Sequence, residues 1–280
     1  MRGECPTDTR TLLRVEREER TMKHTIQNEA FEPVQQTEQA QSGLITQAQV
    51  LGLPEPVQRY LNYAQVVGKD PIRTVRLTQQ GFMRTQLDQK WLPMVAEQSF
   101  TTTPPAFLWH CTVRPFPLVW ISATDRFSEG RGSMRVKLLS LIPLGNARGP
   151  EMDQGALQRY LAEMVWFPTA WLSDAIEWQA IDASSAQATM RESGVTASVV
   201  LHVNEQGQLT HVTADRYKEE HGHYLLAPWS GQCTVYQEVD GMRIPTRIEI
   251  TWHLASGNFT WFRCKISEIK YNQLGKVTVL

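Results

Sequence analysis

Residues 195–218 read VTASVVLHV-NEQGQ-LTHVTADRYK, and this stretch decides the fold. Apolar residues occupy every second position from Val195 to Val203, which is the pattern of a strand with one covered face. The turn residues Asn204 to Gly207 follow, and a second alternating run begins at Leu209. Strands joined by so short a connection pair antiparallel. The stretch therefore predicts a hairpin within an antiparallel sheet.

The same pattern recurs on both sides of this hairpin. Further strands are predicted near residues 73–81, 90–102, 106–114, 117–127, 132–140, 177–181, 187–192, 223–238, 243–254 and 258–271. This makes roughly ten to twelve strands, linked in sequence and mostly antiparallel. A sheet of this size twists and curls. The predicted fold class is α+β: a large curved antiparallel sheet, or half-open β-barrel, with a helical insert and an N-terminal helix covering its concave side. A closed barrel is the alternative.

The helical insert follows the first group of strands. Asp153 is expected to cap it, and the helix is expected to run to about Trp166, before the break at Pro168. Its apolar stripe consists of Leu157, Tyr160, Leu161 and Met164. A second short helix is predicted over residues 169–174.

The N-terminal part of the chain has a different composition. From His24 to Gln58 there is no Lys or Arg, and Gln and Glu recur. We expect residues 1–45 to form a disordered tail and residues 46–280 to form a single half-barrel domain. A short helix is predicted near residues 46–51, and a longer helix is predicted to begin at Pro54 and stop near Gly68.

Composition excludes several classes of protein. Lys plus Arg is 28 and Asp plus Glu is 29, so the net charge of -1 gives no drive toward nucleic acid. No apolar run is long enough to span a membrane, so a soluble chain without a membrane span is expected. No apolar signal segment occurs near the N-terminus, which predicts a cytoplasmic location. The widely spaced cysteines predict buried thiols and no metal site. No nucleotide-binding glycine motif is found, and no cofactor is expected.

Aromatic and charged residues supply the candidate site. The nine tryptophans indicate either a large packed core or an aromatic-lined cavity for an apolar or planar ligand. As ligand-binding candidates we take Trp109, Trp120, Trp166, Trp171, Trp229 and Trp252, together with Asp125 and Arg126. On the predicted helix Arg159 and Glu163 are one turn apart and can pair. If their face looks into the cavity, Glu163, Arg159 and Tyr160 are the candidate proton-handling residues.

Several segments between Leu53 and about Tyr271 resemble an uncharacterised bacterial family classed as a domain of unknown function. The most specific are Arg159-Tyr160-Leu161-Ala162-Glu163 and Trp166-Phe167-Pro168-Thr169-Ala170. In strand order alone, the chain resembles the lipoprotein carriers LolA and LolB, whose fold is shared by VioE, an enzyme of the violacein pathway. That scaffold serves both a hydrophobic carrier and a cofactor-free enzyme, so it does not choose between them.

Three functions are compatible with these observations. The first is binding of an apolar or aromatic small molecule, lipid-like in character, within the half-barrel. The second is a cofactor-independent enzyme of small-molecule biosynthesis, a cyclase, isomerase or lyase, that uses the same cavity. The third is a structural or oligomerising protein with a fully packed core. The partner expected under the first two is a hydrophobic small molecule, and assembly into a homodimer is allowed for.

Overall fold

The computed structural model describes residues 43–220 and 222–273. Within them, 13 strands form a single sheet. In chain order the strands are β1 (Thr74–Met83), β2 (Leu92–Thr102), β3 (Pro105–Phe116), β4 (Val119–Ser128), β5 (Arg131–Leu138), β6 (Ile142–Ala147), β7 (Ile176–Ala180), β8 (Ser185–Glu192), β9 (Val195–Val203), β10 (Leu209–Glu220), β11 (His223–Val239), β12 (Met242–Leu254) and β13 (Gly257–Tyr271). Residues 1–42 of the predicted tail lie outside the described residues, so the division into a tail and one domain stays a prediction.

The order of strands across the sheet is β6-β5-β4-β3-β2-β1-β13-β12-β11-β10-β9-β8-β7. All pairs are antiparallel, as the turn residues predicted. Strands β6 and β7 are the two edges, and they do not pair with each other. The sheet is therefore a half-open barrel, and the alternative of a closed barrel is wrong. The 13 strands exceed the roughly ten to twelve predicted, partly because the short edge strand β6 carries little alternation.

The connection between the two edge strands explains the curl. It contains helix α3 (Pro150–Glu163) and carries the chain from one edge of the sheet to the other. This helix contacts β3, β4 and β5 from one half of the sheet and β8, β9 and β10 from the other. One helix can touch strands so far apart in the strand order only because the sheet wraps around it. The face toward α3 is called the inner face below.

Two helices precede the sheet, α1 (Gln47–Leu51) and α2 (Glu55–Ala64). Helix α2 contacts β8, β9 and β12, and the Tyr60 hydroxyl donates to the carbonyl of Val165 at 3.1 Å. The predicted stop at Gly68 is wrong, because Gln65 takes the left-handed conformation with φ 61° and ends the helix earlier. Coverage of the concave side by this helix stays a prediction.

The helical insert begins and ends differently from the expectation. Gly149 is its N-cap residue, and the helix ends at Glu163. The predicted cap, Asp153, lies inside the first turns because its carboxylate is used elsewhere: it accepts from the backbone N–H of Gly132 at 2.7 Å and from Arg131 at 3.0 Å. Two 3₁₀ turns follow α3, over Met164–Trp166 and Pro168–Leu172, in place of a longer helix and a second α-helix.

The core is richest in aromatic rings where these turns meet the inner face. The ring of Phe100 on β2 lies at its centre, with the Phe167 ring centroid 4.8 Å away. Around Phe100 also lie Phe107 at 6.2 Å, Tyr160 at 6.3 Å and Trp166 at 6.5 Å. Rings at these separations and tilts attract each other beyond their burial. This buried aromatic cluster anchors α3 to the sheet and so positions the residues described next.

Candidate functional site

The inner face of β2, β3 and β4 is built in four rows that follow from strand register. Directly paired residues form each row, because residues opposite one another on neighbouring strands share a face. The first row is aromatic, the second polar and the last two apolar. In that order the rows are Phe100-Phe107-Phe127, Gln98-Trp109-Asp125, Ala96-Cys111-Ala123 and Met94-Val113-Ile121.

The polar row is buried under helix α3. Asp125 is 3% exposed and Gln98 is 1% exposed. Gln79 on β1, also 1% exposed, extends the row: its amide donates to the Gln98 side-chain oxygen at 3.1 Å and its oxygen accepts from the Trp109 indole at 2.9 Å. Polar groups buried among apolar neighbours are tolerated when they bond to one another in this way.

Helix α3 adds two charged residues to this row. Arg159 donates through Nη1 to Asp125 Oδ2 at 2.5 Å and through Nε to Glu163 Oε1 at 2.9 Å. Glu163 Oε2 accepts from the Gln98 amide at 2.7 Å. The pairing of Arg159 with Glu163 that the helical spacing predicted is confirmed. Asp125 completes a three-residue ion-pair cluster that no local spacing in the sequence encodes.

The Arg159 guanidinium also stacks on aromatic rings. Its central carbon is 4.8 Å from the ring centroid of Trp109 and 5.0 Å from that of Phe107. An arginine is suited to this position because its planar, weakly hydrated guanidinium can stack and still donate in its own plane. The aromatic row and the polar row are thus held together by one side chain.

Burial dominates the electrostatics of the cluster. It raises the pKa of Asp125 and of Glu163, and the neighbouring Arg159 opposes both shifts. Burial by itself lowers the pKa of Arg159, but the two carboxylates more than offset this and raise it overall. Asp125 Oδ1 is buried and accepts no hydrogen bond from the described residues. The charge of both carboxyl groups therefore depends chiefly on the Arg159 guanidinium.

A second arginine approaches the cluster from the other half of the sheet. Arg216 on β10 donates through Nη2 to the carbonyl of Gly155 on α3 at 2.8 Å. Its guanidinium carbon is 4.9 Å from the ring centroid of Trp229 on β11. Burial, and then the charge of Arg159, lowers the pKa of Arg216 to about 10, against the opposing pull of Asp125 and Glu163. Arg216 therefore carries its charge at neutral pH.

Sequence-predicted residues divide into two groups. Arg159, Glu163, Asp125 and Trp109 are in direct contact. Trp229 packs against Arg216, whose charge interacts with those of Arg159, Asp125 and Glu163.

The other predicted residues lie elsewhere. The Tyr160 hydroxyl donates to the carbonyl of Thr101 at 3.0 Å, on the aromatic side of the helix. Trp166 packs in the aromatic cluster, and Trp171 packs against Trp178 with ring centroids 5.4 Å apart.

The three remaining predicted residues, Trp120, Trp252 and Arg126, lie on strands of the sheet. Trp120 donates through its indole nitrogen to Ser140 at 3.1 Å. Trp252 is partly exposed and pairs in register with Trp229. Arg126 is exposed, and as the next residue along β4 its side chain is on the opposite face from Asp125. Asp125 and Arg126 therefore do not lie at one site, since alternation along β4 puts them on opposite faces.

Three residues of the site were missed by the sequence reasoning: Gln79, Gln98 and Arg216. The sequence gives a weak indication of each, because each lies at a strand position where the alternating pattern places inward-facing apolar residues. Gln79 follows Val75 and Leu77 at alternate positions, and Arg216 follows Val212 and Ala214 in the same way. A polar residue at a position that the pattern assigns to the core is the feature that could have found them.

The chain is thus an α+β half-barrel protein with a buried polar row and a charged cluster on its inner face. It belongs to the family of unknown function DUF6544, whose family model matches residues 43–264. The resemblance to a family of unknown function, noted from the sequence, is confirmed. No curated protein matches the chain.

Solved structures from three bacteria are similar to the chain at low identity. A putative outer membrane lipoprotein-sorting protein domain from Vibrio parahaemolyticus is 8% identical, with a TM-score of 0.42 over 73% of this chain and 88% of that one. A DUF1329 family protein from Desulfovibrio piger is 12% identical, with a TM-score of 0.44 over 79% and 94%. A LolA superfamily protein from Nitrosomonas europaea is 12% identical, with a TM-score of 0.38 over 79% and 93%. With TM-scores below 0.5, these likenesses bring no ligand or activity to this chain.

Neither a membrane-spanning helix nor a metal-binding cluster occurs in the described part of the chain. Among residues 43–220 and 222–273, no helix has the length and apolar character needed to cross a membrane. In the same ranges, no group of three or more His, Cys, Asp or Glu side chains is arranged to hold a metal ion.

Proposed function

We propose that the protein binds an apolar or aromatic small molecule, lipid-like in character, against the inner face of the half-barrel. The observation that carries the proposal is the change in chemistry along the rows of that face. Beyond the polar row, the inner face becomes apolar again, from Ala96 and Cys111 to Met94 and Val113. Its outermost residues on β4, Ala123 and Ile121, are partly exposed. A concave apolar wall with a few polar groups at its inner end is the usual form of a small-molecule site.

Buried indole groups support the same function. Four tryptophans have an indole N–H that is buried and has no acceptor among the described residues: Trp166, Trp171, Trp229 and Trp261. Buried donors are nearly always satisfied in folded proteins, so unbonded ones indicate a missing partner. Trp229 is the one of these four that contacts Arg216 beside the cluster. It is therefore the indole best placed to meet a ligand.

The proposal is tested with a neutral apolar dye, N-phenyl-1-naphthylamine, and with native mass spectrometry of the purified protein. We expect dye fluorescence to rise and saturate at one dye per chain. Ala123→Trp adds a large side chain to the inner wall and should weaken dye binding at least about tenfold. Val95→Trp adds the same side chain to the opposite face of the sheet, where Val95 is 49% exposed, and should leave dye binding unchanged.

Absence of saturable dye binding, together with a protein mass free of any bound adduct, contradicts the proposal and favours a packed structural protein. Equal binding by the Ala123→Trp and Val95→Trp variants places the dye elsewhere. Circular dichroism of each variant shows whether the chain is still folded.

A cofactor-independent enzyme is the second candidate, because one observation favours it. Asp125 is buried and Glu163 is partly buried, their pKa values are raised, and such carboxyl groups are suited to proton transfer. The two candidates differ in their response to Glu163→Gln. An enzyme loses turnover and keeps binding, whereas a binding protein has no turnover to lose. The cytoplasmic location and the homodimer stay predictions.

A further inference from the structure

Arg216 lies beside the ion-pair cluster of Asp125, Arg159 and Glu163. Unlike Arg159, it forms no ion pair with a carboxylate among the described residues. Arg159 donates to two carboxylates, and each of those accepts from it. Among the residues that the structure describes, no carboxylate forms an ion pair with Arg216, and its Nε–H is buried without an acceptor. Its one hydrogen bond within the described part of the chain, to the carbonyl of Gly155, uses Nη2. A guanidinium has five donors in a fixed fork, so most of this one remains unused.

The surroundings of Arg216 are unfavourable for an unpaired charge. Its guanidinium is stacked on Trp229 and is repelled by Arg159, which lies close enough to lower its pKa. Removing a charge from water without pairing it is expensive, so buried charges are normally paired. Asp125 and Glu163 attract Arg216 at longer range and partly offset this, but no hydrogen bond joins either of them to it: Arg159 and Gln98 donate to these carboxylates instead. The missing partner is an anion or a strong acceptor.

Trp229 supplies a second unused donor next to the first. Its indole N–H is buried and has no acceptor among residues 43–220 and 222–273, and its ring supports the Arg216 guanidinium. Arg216 is partly exposed, although its Nε atom is buried. Part of the side chain is therefore accessible, beside the helix residue Gly155 to which it donates.

We propose that the ligand carries a carboxylate head group, which binds Arg216 beside Trp229, and that its apolar tail lies along the inner wall. The ligand class is that of long-chain carboxylic acids. Planar guanidinium and carboxylate groups match each other in paired hydrogen bonds. This inference rests on the proposed function, since it specifies the polar end of the same ligand.

The test is displacement of N-phenyl-1-naphthylamine from the full chain by two molecules with the same tail, dodecanoate and 1-dodecanol. We expect dodecanoate to displace the dye at a concentration at least about tenfold lower, the factor for one charge-assisted hydrogen bond away from water. Arg216→Gln should abolish this preference and Arg216→Lys should keep part of it, each compared with that variant's own affinity for the dye. Arg243→Gln is the matched control, because Arg243 also stacks on an aromatic ring, 5.5 Å from Tyr63, but is exposed.

The outcomes separate the two proposals. If the dye binds and the two competitors are equally effective on the wild-type chain, the carboxylate proposal is wrong and the binding function stands. If Arg216→Gln keeps the preference, Arg216 is not the receptor. If the dye does not bind at all and dodecanoate gives no heat in calorimetry, both proposals fail. The wild-type comparison needs no variant, so it holds even if Arg216→Gln does not fold.

Discussion

Replacing Arg159 by Met removes the positive charge of the ion-pair cluster and measures how much that charge stabilises the fold. The side chain donates to Asp125 and Glu163 and stacks on two aromatic rings. Methionine keeps an unbranched apolar stem of similar length in the same place, so the main loss is the guanidinium. The buried carboxylate of Asp125 and the partly buried carboxylate of Glu163 are then left without their cation.

The expected loss in the free energy of unfolding follows from the burial of these carboxylates. Breaking a buried ion pair by removing one partner costs about 3–5 kcal/mol, because the remaining charge is neither solvated nor paired. A domain is stable by about 5–15 kcal/mol, so this single change removes a large part of the total. The free energy of unfolding is measured by urea titration with tryptophan fluorescence. Arg114→Met, at an exposed position of β3, is the control and should change it by less than about 0.5 kcal/mol.

The pH dependence of the loss has a definite sign. Burial raises the folded-state pKa of Asp125 and of Glu163, so their ionisation opposes folding as pH rises through those values. Arg159 lowers both pKa values, and its removal raises them further. The destabilisation by Arg159→Met should therefore be largest at pH 7 and should shrink toward pH 4, where both groups take up protons. Adding Glu163→Gln to the variant should recover part of the loss.

Two results would refute this reasoning. One is a loss below about 1 kcal/mol at pH 7, which would mean that the carboxylates are effectively solvated. The other is a loss of equal size at pH 7 and pH 4, which would mean that packing rather than charge is responsible.

Three further changes test other parts of the fold. At Gly132 an added Cβ would lie 2.5 Å from a backbone carbonyl oxygen of α3, so Gly132→Ala should lower the free energy of unfolding by about 1–3 kcal/mol. Gly145→Ala is the control, because no atom lies within 4 Å of an added Cβ there, and it should leave the free energy of unfolding unchanged. Equal effects of the two changes would contradict the close approach at Gly132. The rings of His202 and His211 stack at 4.1 Å, and burial lowers the pKa of both. Each therefore favours folding when neutral, so stability should fall as pH drops below about 6.5, and His211→Gln should flatten that slope in urea titrations from pH 8 to pH 5. Burial raises the pKa of the Cys111 and Cys233 thiols to about 12 and also raises that of Cys264. In a Cys5→Ser chain, a thiol reagent at pH 8 should therefore label none of these three until denaturant is added. Rapid labelling of the native chain would show that the inner face is open to water at these cysteines.

The sequence by itself determined the sheet and much of the helix. Alternation from Val195 to Val203 is a property of local residue order, and so is the short turn after it; together they impose antiparallel pairing wherever they recur. The pairing of Arg159 with Glu163 is equally local, because four residues make about one helical turn. These features need no knowledge of the rest of the chain.

Only the tertiary structure decided which strands face each other across the half-barrel. Asp125 meets Arg159 across 34 positions of sequence, and Arg216 approaches the same helix from the far half of the sheet. These contacts depend on how strongly the sheet curls and on where α3 crosses it. Both are set by the packing of aromatic rings such as Phe100 and Phe167, which is a sum of many small contacts. No local pattern in the sequence records that sum, so the charged cluster and its second arginine appear only in the folded chain.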